Sequence, residues 1–260
     1  MSTEKKFNFL TSKNSLEFNT FEELKIGSQF PNSVFNTLDL QMQANPIFNS
    51  ACSAIASDDK SELCNIFNYF GSDKATWHNY SQIYFRLLEP FKEEPLHFFE
   101  VGIGTPNDYV PSAMSNGYKY GSSLRGWNSF LKNSQTKICA GDIDPKSFFT
   151  SDKIKTGYIN QLNPSSIIKF LKVMNADVHG IDFFLDDGLH EFRSNICLLI
   201  CVWPYIKNGG LYLIEDISQS TLNSLISIIS SLSLNANVAI FELPAQPDDN
   251  RIICIQKQCN

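Results

Sequence analysis

The sequence predicts an α/β fold: a mostly parallel sheet with helices on both faces and an antiparallel hairpin at its C-terminal end. Three observations predict it. From about residue 95, short apolar runs alternate with stretches of helical period. Those runs are apolar nearly throughout, as strands covered on both faces are. The last two, NVAIFELP (237–244) and RIICIQK (251–257), flank a polar turn with no helical segment between them, which makes a hairpin.

The elements follow in order. Tyr80, Tyr84, Leu87, Leu88 and Phe91 fall at helical spacing, and Pro90 and Pro95 close that segment. PLHFFEVGIG (95–104) reads as a buried strand ending in glycines, and SSLRGWNSFLK (122–132) as a helix with Ser122 or Ser123 as its N-cap. TKICAGDID (136–144) is a second strand and KTGYIN (155–160) a short third. SSIIKFLKVM (165–174) is helical after Pro164, and GIDFFLDD (180–187) is a fourth strand. EFRSNICLLICVWPYI (191–206) is a helix with Phe192, Ile196, Leu199 and Trp203 on one stripe, ended by Asn208-Gly209-Gly210. LYLIED (211–216) is a fifth strand and TLNSLISIISSL (221–232) a further helix. Residues 1–60 are rich in Asn, Ser and Phe with weak periodicity. The expected division is an N-terminal extension over 1–70, partly helical and serving as a lid or oligomerisation segment, and one α/β domain over 71–260.

Composition narrows the partners. Of 260 residues, 43% are hydrophobic and 18% charged, enough for one sizeable core. The net charge of −6 and the lack of a Lys/Arg run argue against nucleic acid. The seven cysteines are odd in number and form no CxxC pair; they read as small buried apolar residues in a reducing, cytoplasmic setting. The N-terminus lacks the apolar core of a signal peptide, and no apolar run approaches the ~20 residues that span a membrane.

In an open parallel sheet, ligands bind beyond the carboxyl ends of the strands, where the strand order reverses. Four strands bring chemistry to that edge: Glu100-Val101-Gly102-Ile103-Gly104, Asp142-Ile143-Asp144, Asp186-Asp187-Gly188-Leu189-His190 and Glu215-Asp216. Gly102 and Gly104 permit a tight turn and close approach of a ligand. The third glycine of a dinucleotide fingerprint is missing, and Asp142 stands 38 residues beyond Gly104, not ~20. Asp142 still suits ribose hydroxyls, so the pattern favours an adenosyl ligand without phosphates over NAD. Asp187, Glu215 and Asp216 are hard oxygen donors suited to Mg²⁺ or a similar ion. His190, three residues past Asp187, can take a proton near neutral pH.

These residues carry a resemblance. GSDKATWHNYSQIYFRLLEP (71–90), FFEVGIG (98–104), GSSLRGW (121–127), GDIDP (141–145), DDGLH (186–190) and GGLYLIEDI (209–217) are similar, in the same order, to stretches of class I S-adenosylmethionine (SAM)-dependent methyltransferases. More narrowly, the chain resembles the metal-dependent sugar O-methyltransferases of macrolide biosynthesis, of the mycinamicin and macrocin type. Relatives of that type also occur in clusters that build bacterial surface polysaccharides. The resemblance implies a Rossmann-like sheet, SAM and Mg²⁺ as cofactors, and a small-molecule sugar substrate, nucleotide-linked or a glycoside. It also implies self-association into a homo-oligomer. Glu100, Gly102 and Gly104 would line the methionine and ribose part of SAM, and Asp142 would take the ribose hydroxyls. Lys74, Ser123, Gln161 and Asp186 would complete the cofactor side. Asp187, Glu215 and Asp216 would hold the metal, with Asp187 and His190 at the chemistry and His190 the base; His78 and Tyr80 fall in a block near the mouth. Asn160-Gln161 replaces the usual Asp-Gln, Leu189 a usual Ser, and the loop 105–121 has no counterpart. Readings from other directions are a metal-independent small-molecule methyltransferase, a SAM-binding protein without turnover, and an NAD-dependent oxidoreductase.

Overall fold

A computed structural model of the chain describes residues 60–105, 107–114, 119–232, 234–243 and 249–258, and four short N-terminal strands by their backbone alone. Those four are β1 (Asn8–Thr11), β2 (Asn14–Glu17), β3 (Met42–Ala44) and β4 (Asn49–Ala51). The remainder of the expected N-terminal extension before residue 60 lies outside the described residues.

Helix α1 (Glu62–Phe70) is capped by Ser61, whose hydroxyl accepts from the Cys64 amide, and closed by Gly71 at φ 78°. Its Leu63 and Phe67 are fully buried. Two helices follow, α2 (Asp73–Thr76) and α3 (Ser81–Leu88). The alternating part runs β5 (His97–Val101), α4 (Ser122–Phe130), β6 (Lys137–Asp142), β7 (Ile154–Tyr158), α5 (Pro164–Val173), α6 (Ala176–His179), β8 (Ile181–Asp186), α7 (Phe192–Val202), β9 (Ile206–Ile214) and α8 (Gln219–Ser231). The hairpin β10 (Ala236–Glu242) and β11 (Arg251–Lys257) closes the described chain.

One nine-stranded sheet has the order β3-β4-β10-β11-β9-β8-β5-β6-β7. Strands β9, β8, β5, β6 and β7 pair in parallel, and β11 joins β9 antiparallel. The expected architecture is therefore present. Chain order steps outward from β5 through β6 to β7, then returns to place β8 on the other side of β5. The reversal lies between β5 and β8, which is where such sheets open a crevice.

Side-chain alternation sorts the core into two layers. Phe98, Phe183 and Leu211 face α1, α3 and α4, whereas Phe99, Phe184 and Tyr212 face α5, α7 and α8. Registered strand partners stack their rings: Phe98 on Phe183 with centroids 4.9 Å apart, and Phe184 on Tyr212 at 5.0 Å. Cross-strand aromatic pairs of this kind hold strand register, and register here decides which residues emerge at the edge.

Some boundaries differ from expectation: Ser122 and Ser123 lie inside α4, whose N-cap is Gly121 with no side-chain cap bond. The helix expected over 191–206 ends at Val202, because Pro204 cannot donate to a further turn. Asn208-Gly209-Gly210 does not end the helix but lies inside β9, at a bulge opposite Ile181 and Phe183. Gly209 sits at φ 83°, and a Cβ on Gly210 would lie 2.9 Å from the Ile181 carbonyl oxygen. No described helix is long and apolar enough to cross a membrane.

Candidate functional site

The carboxyl ends of β5 and β8 are bound to one another. The Asp187 amide donates to the Val101 carbonyl at 2.9 Å, the Gly102 amide to Gly141 at 2.9 Å, and the Glu215 amide to Asp186 at 3.0 Å. The ends of β5, β6, β8 and β9 thereby form one continuous rim. A cavity of about 590 Å³ opens along it, lined by Gly102, Gly104, Ser123, Asp142 and Gln161 and also by Lys74, Asp187, His190 and Asp216. That is within the usual size for a cofactor pocket.

At the glycine end, Asp142 holds the turn. Its carboxylate accepts from the Ile103 amide at 2.8 Å and the Asp144 amide at 2.9 Å, and it stays 7% exposed beside the cavity. Asp144 is tied up structurally, accepting from Thr105 and from the Lys146 amide. Of the loop 105–121, the described part folds back over the glycines: the Met114 amide donates to Thr105, and the Ser112 hydroxyl to the Leu189 carbonyl at 3.1 Å. The shape of the cavity, the glycine turn and an available carboxylate fit an adenosyl ligand at this end.

At the other end the carboxylates gather. Asp216 is the hub. Tyr80 donates its hydroxyl to Oδ1 at 2.6 Å, the His78 ring lies 3.5 Å from the same oxygen, and His190 Nε2 lies 3.6 Å from Oδ2. Among the described residues, His190 Nδ1 is buried without a hydrogen-bond partner. His190 and Asp216 both adopt positive φ, 56° and 53°, a conformation that costs a non-glycine residue energy and concentrates at functional sites. Asp187, His190 and Asp216 bring ligand-type atoms within 4.8 Å of one another; the two carboxylates suit a divalent ion, with the His190 imidazole beside them.

Glu215, the third expected ligand, is engaged differently. Tyr84 donates to Oε1, and Lys74 Nζ lies 2.5 Å from Oε2. Lys74 also lies 2.6 Å from Asp187 Oδ2. Burial pushes the Glu215 carboxyl well up, and the neighbouring Asp187 adds to this. Asp187 is only partly buried, its side chain 22% exposed; partial desolvation pushes its carboxyl up, but Lys74 and His190 outweigh that and hold it below the ordinary carboxylate range.

Three expected cofactor residues sit behind the cavity wall or support it. Glu100 is fully buried; Trp127 donates to its Oε2 at 2.8 Å, and Lys74 Nζ lies 3.9 Å from its Oε1. Asp186 is 1% exposed and accepts from Gln161 at 2.7 Å and Asn195 at 2.9 Å. Gln161 lines the cavity, but its amide spans Asp186 and the Leu189 amide, clipping the DDGLH turn in place. Neither Glu100 nor Asp186 is among the residues lining the cavity. Burial pushes their carboxyls up to about 7 and about 6.

Glu100 offers a pH test. Its folded carboxyl keeps a proton up to about pH 7, while the unfolded one releases it near 4.5. Between those values the folded state binds more protons, so this group's contribution to stability declines as pH rises. The urea stability of Glu100→Gln minus that of the parent should therefore shift in the variant's favour from about pH 5 to about pH 8. A difference that stays flat with pH would show that Glu100 ionises normally.

Sequence reasoning missed Tyr84, Trp127, Asn195 and Asn250. Tyr84 reads as an apolar-stripe residue and Trp127 only as part of the GSSLRGW helix, and their hydroxyl and ring N–H, aimed at Glu215 and Glu100, give them a polar role. Asn250, before β11, faces His78 at 3.3 Å across 172 positions of sequence, with no local signal to mark it.

Comparison with known proteins agrees with this picture. No family model matches the chain. It is 28% identical over 179 residues to the 8-demethyl-8-alpha-L-rhamnosyl tetracenomycin-C 2'-O-methyltransferase of Streptomyces olivaceus, covering 67% of this chain and 43% of that protein. It is 28% identical over 162 residues to the mycinamicin VI 2''-O-methyltransferase of Micromonospora griseorubida, covering 61% and 36%. The chain thus spans less than half the length of these curated relatives. Among solved structures, the MycE methyltransferase of the mycinamycin pathway, in complex with Mg and SAH, superposes with a TM-score of 0.57 at 20% identity, over 77% of this chain and 56% of that one. The resemblance read from the motifs holds: the relatives are sugar O-methyltransferases, and the fold is that of a class I methyltransferase.

Proposed function

We propose that the chain is a SAM-dependent O-methyltransferase that modifies a hydroxyl of a sugar, carried on a glycoside or linked to a nucleotide, with a divalent ion and His190 as general base. The observation that carries this reading is the arrangement of the cavity. Its glycine turn and Asp142 line the same cavity as His190, Asp187 and Asp216. The relatives' names support it, since each describes methylation of a sugar-bearing natural product.

SAM would supply an electrophilic methyl group, and a divalent ion at Asp187, Glu215 and Asp216 would supply Lewis acidity towards the acceptor hydroxyl. The chain's own groups do the rest. Asp142 is positioned to accept from ribose hydroxyls, and the Gly102–Gly104 turn brings the backbone close to the ligand. His190 takes the acceptor's proton, and the Asp216 carboxylate, 3.6 Å from Nε2, stabilises the imidazolium that results. Tyr80 and His78 hold Asp216 in that position.

Calorimetric titration of SAM, with Mg²⁺ and after chelation, is the test, followed by methyl transfer to a panel of glycosides and nucleotide sugars. Micromolar SAM binding that survives chelation, with turnover that does not, is the expected result. Absence of SAM binding under every condition would end this reading.

A further inference from the structure

Lys74 is the buried group that the proposed chemistry leaves unused. It follows the Ser72 cap of α2 and is 2% exposed. Its ammonium stands among three carboxylates: Glu215 Oε2 at 2.5 Å, Asp187 Oδ2 at 2.6 Å and Glu100 Oε1 at 3.9 Å. Two of those residues, Asp187 and Glu215, are in the expected metal set. With Tyr84 on Oε1, both oxygens of Glu215 are held by protein donors. Glu100 is fully buried, and the ammonium faces its Oε1. A buried carboxylate cluster needs a compensating positive charge, and here a side chain provides it.

An ammonium and a divalent ion cannot both sit against Glu215, because they compete for the same oxygen and repel one another. We propose that Lys74 is the resident cation of this acid cluster, and that a divalent ion joins Asp187, Glu215 and Asp216 by displacing its ammonium from Glu215. Lys74 also lines the cavity, so the displaced ammonium has room to swing outward. Metal loading is then an exchange of cations, and in the metal-free protein the ammonium supplies the positive charge of the cluster. The inference rests on the metal assignment proposed above, but not on SAM binding or turnover.

The test is calorimetric titration of Mg²⁺ and Mn²⁺, without SAM or acceptor, into the parent and Lys74→Met. Removing the competitor should tighten divalent binding by about tenfold or more. It should also make the variant's Tm rise more steeply with Mg²⁺ than the parent's. A role for Lys74 in packing alone would not tighten metal binding. The second arm needs only the parent: acetylation of lysines, read by peptide mass spectrometry. Lys74 should be protected in metal-free protein and labelled once Mg²⁺ saturates the site, and this arm decides the matter if Lys74→Met does not fold. Equal affinities, or protection unchanged in parent protein that binds Mg²⁺, would overturn the exchange and leave the metal assignment standing. Failure of both proteins to bind a divalent ion would remove the metal assignment and the exchange together.

Discussion

His190→Ala should lower turnover about 10²–10⁴-fold, the usual contribution of a well-placed general base, while SAM affinity changes by no more than about twofold. The separation follows from the hydrogen-bond network. Asp142 and the glycine turn contact neither His190 nor its partner Asp216 in the hydrogen-bond network, so the cofactor end survives the loss of the imidazole. One side effect is foreseeable. His190 is at φ 56°, and alanine tolerates that conformation poorly, so the variant should also lose about 1 kcal/mol of stability. His190→Asn separates the two, because asparagine accepts positive φ yet cannot serve as the base. Turnover by His190→Asn within about threefold of the parent would remove His190 from the proton transfer.

Gly102→Ala should be the most destabilising small substitution in the site, by about 3–5 kcal/mol, a large share of a typical domain's stability. A Cβ there would lie 1.8 Å from the Asp187 backbone oxygen and 2.5 Å from its carbonyl carbon, at a φ of 99°. Both obstacles are backbone, on β-strand ends already hydrogen-bonded to each other, so neither can yield without separating β5 from β8. Asp187 would move with its strand end, and SAM and metal affinity should fall along with the urea midpoint. Gly104→Ala is the control. Its Cβ would meet the Met114 sulfur at 2.8 Å, the flexible part of a side chain that can swing away. Equal destabilisation of the two variants would mean that the β5–β8 crevice is looser than its hydrogen bonds imply.

Most of the rim was legible because strand ends are local features. An apolar run followed by Gly102-Ile103-Gly104, or by Asp186-Asp187, announces both the strand and what leaves it. The partners of those residues were not legible. Tyr84 sits on an apolar helical stripe and Asn250 just before a hairpin strand, and their neighbours Glu215 and His78 lie 131 and 172 positions away. Glu100, Asp186 and Glu215 carry the same chemistry in the sequence as Asp187 and Asp216, yet the first three are buried behind the cavity wall and only the last two line it. In a strand the side chain alternates faces with each residue, so one position decides between a ligand and a support.

By itself the sequence determined the alternation of strands and helices, the parallel sheet with its terminal hairpin, and the set of acids, glycines and histidine at one edge, because periodicity and strand-end chemistry are written in contiguous residues. The tertiary structure alone decided that Lys74 enters the acid cluster, that Gln161 braces the DDGLH turn, and that Asp216 gathers Tyr80, His78 and His190. Those contacts join distant segments through the sheet order, and no local pattern encodes which buried charges will meet.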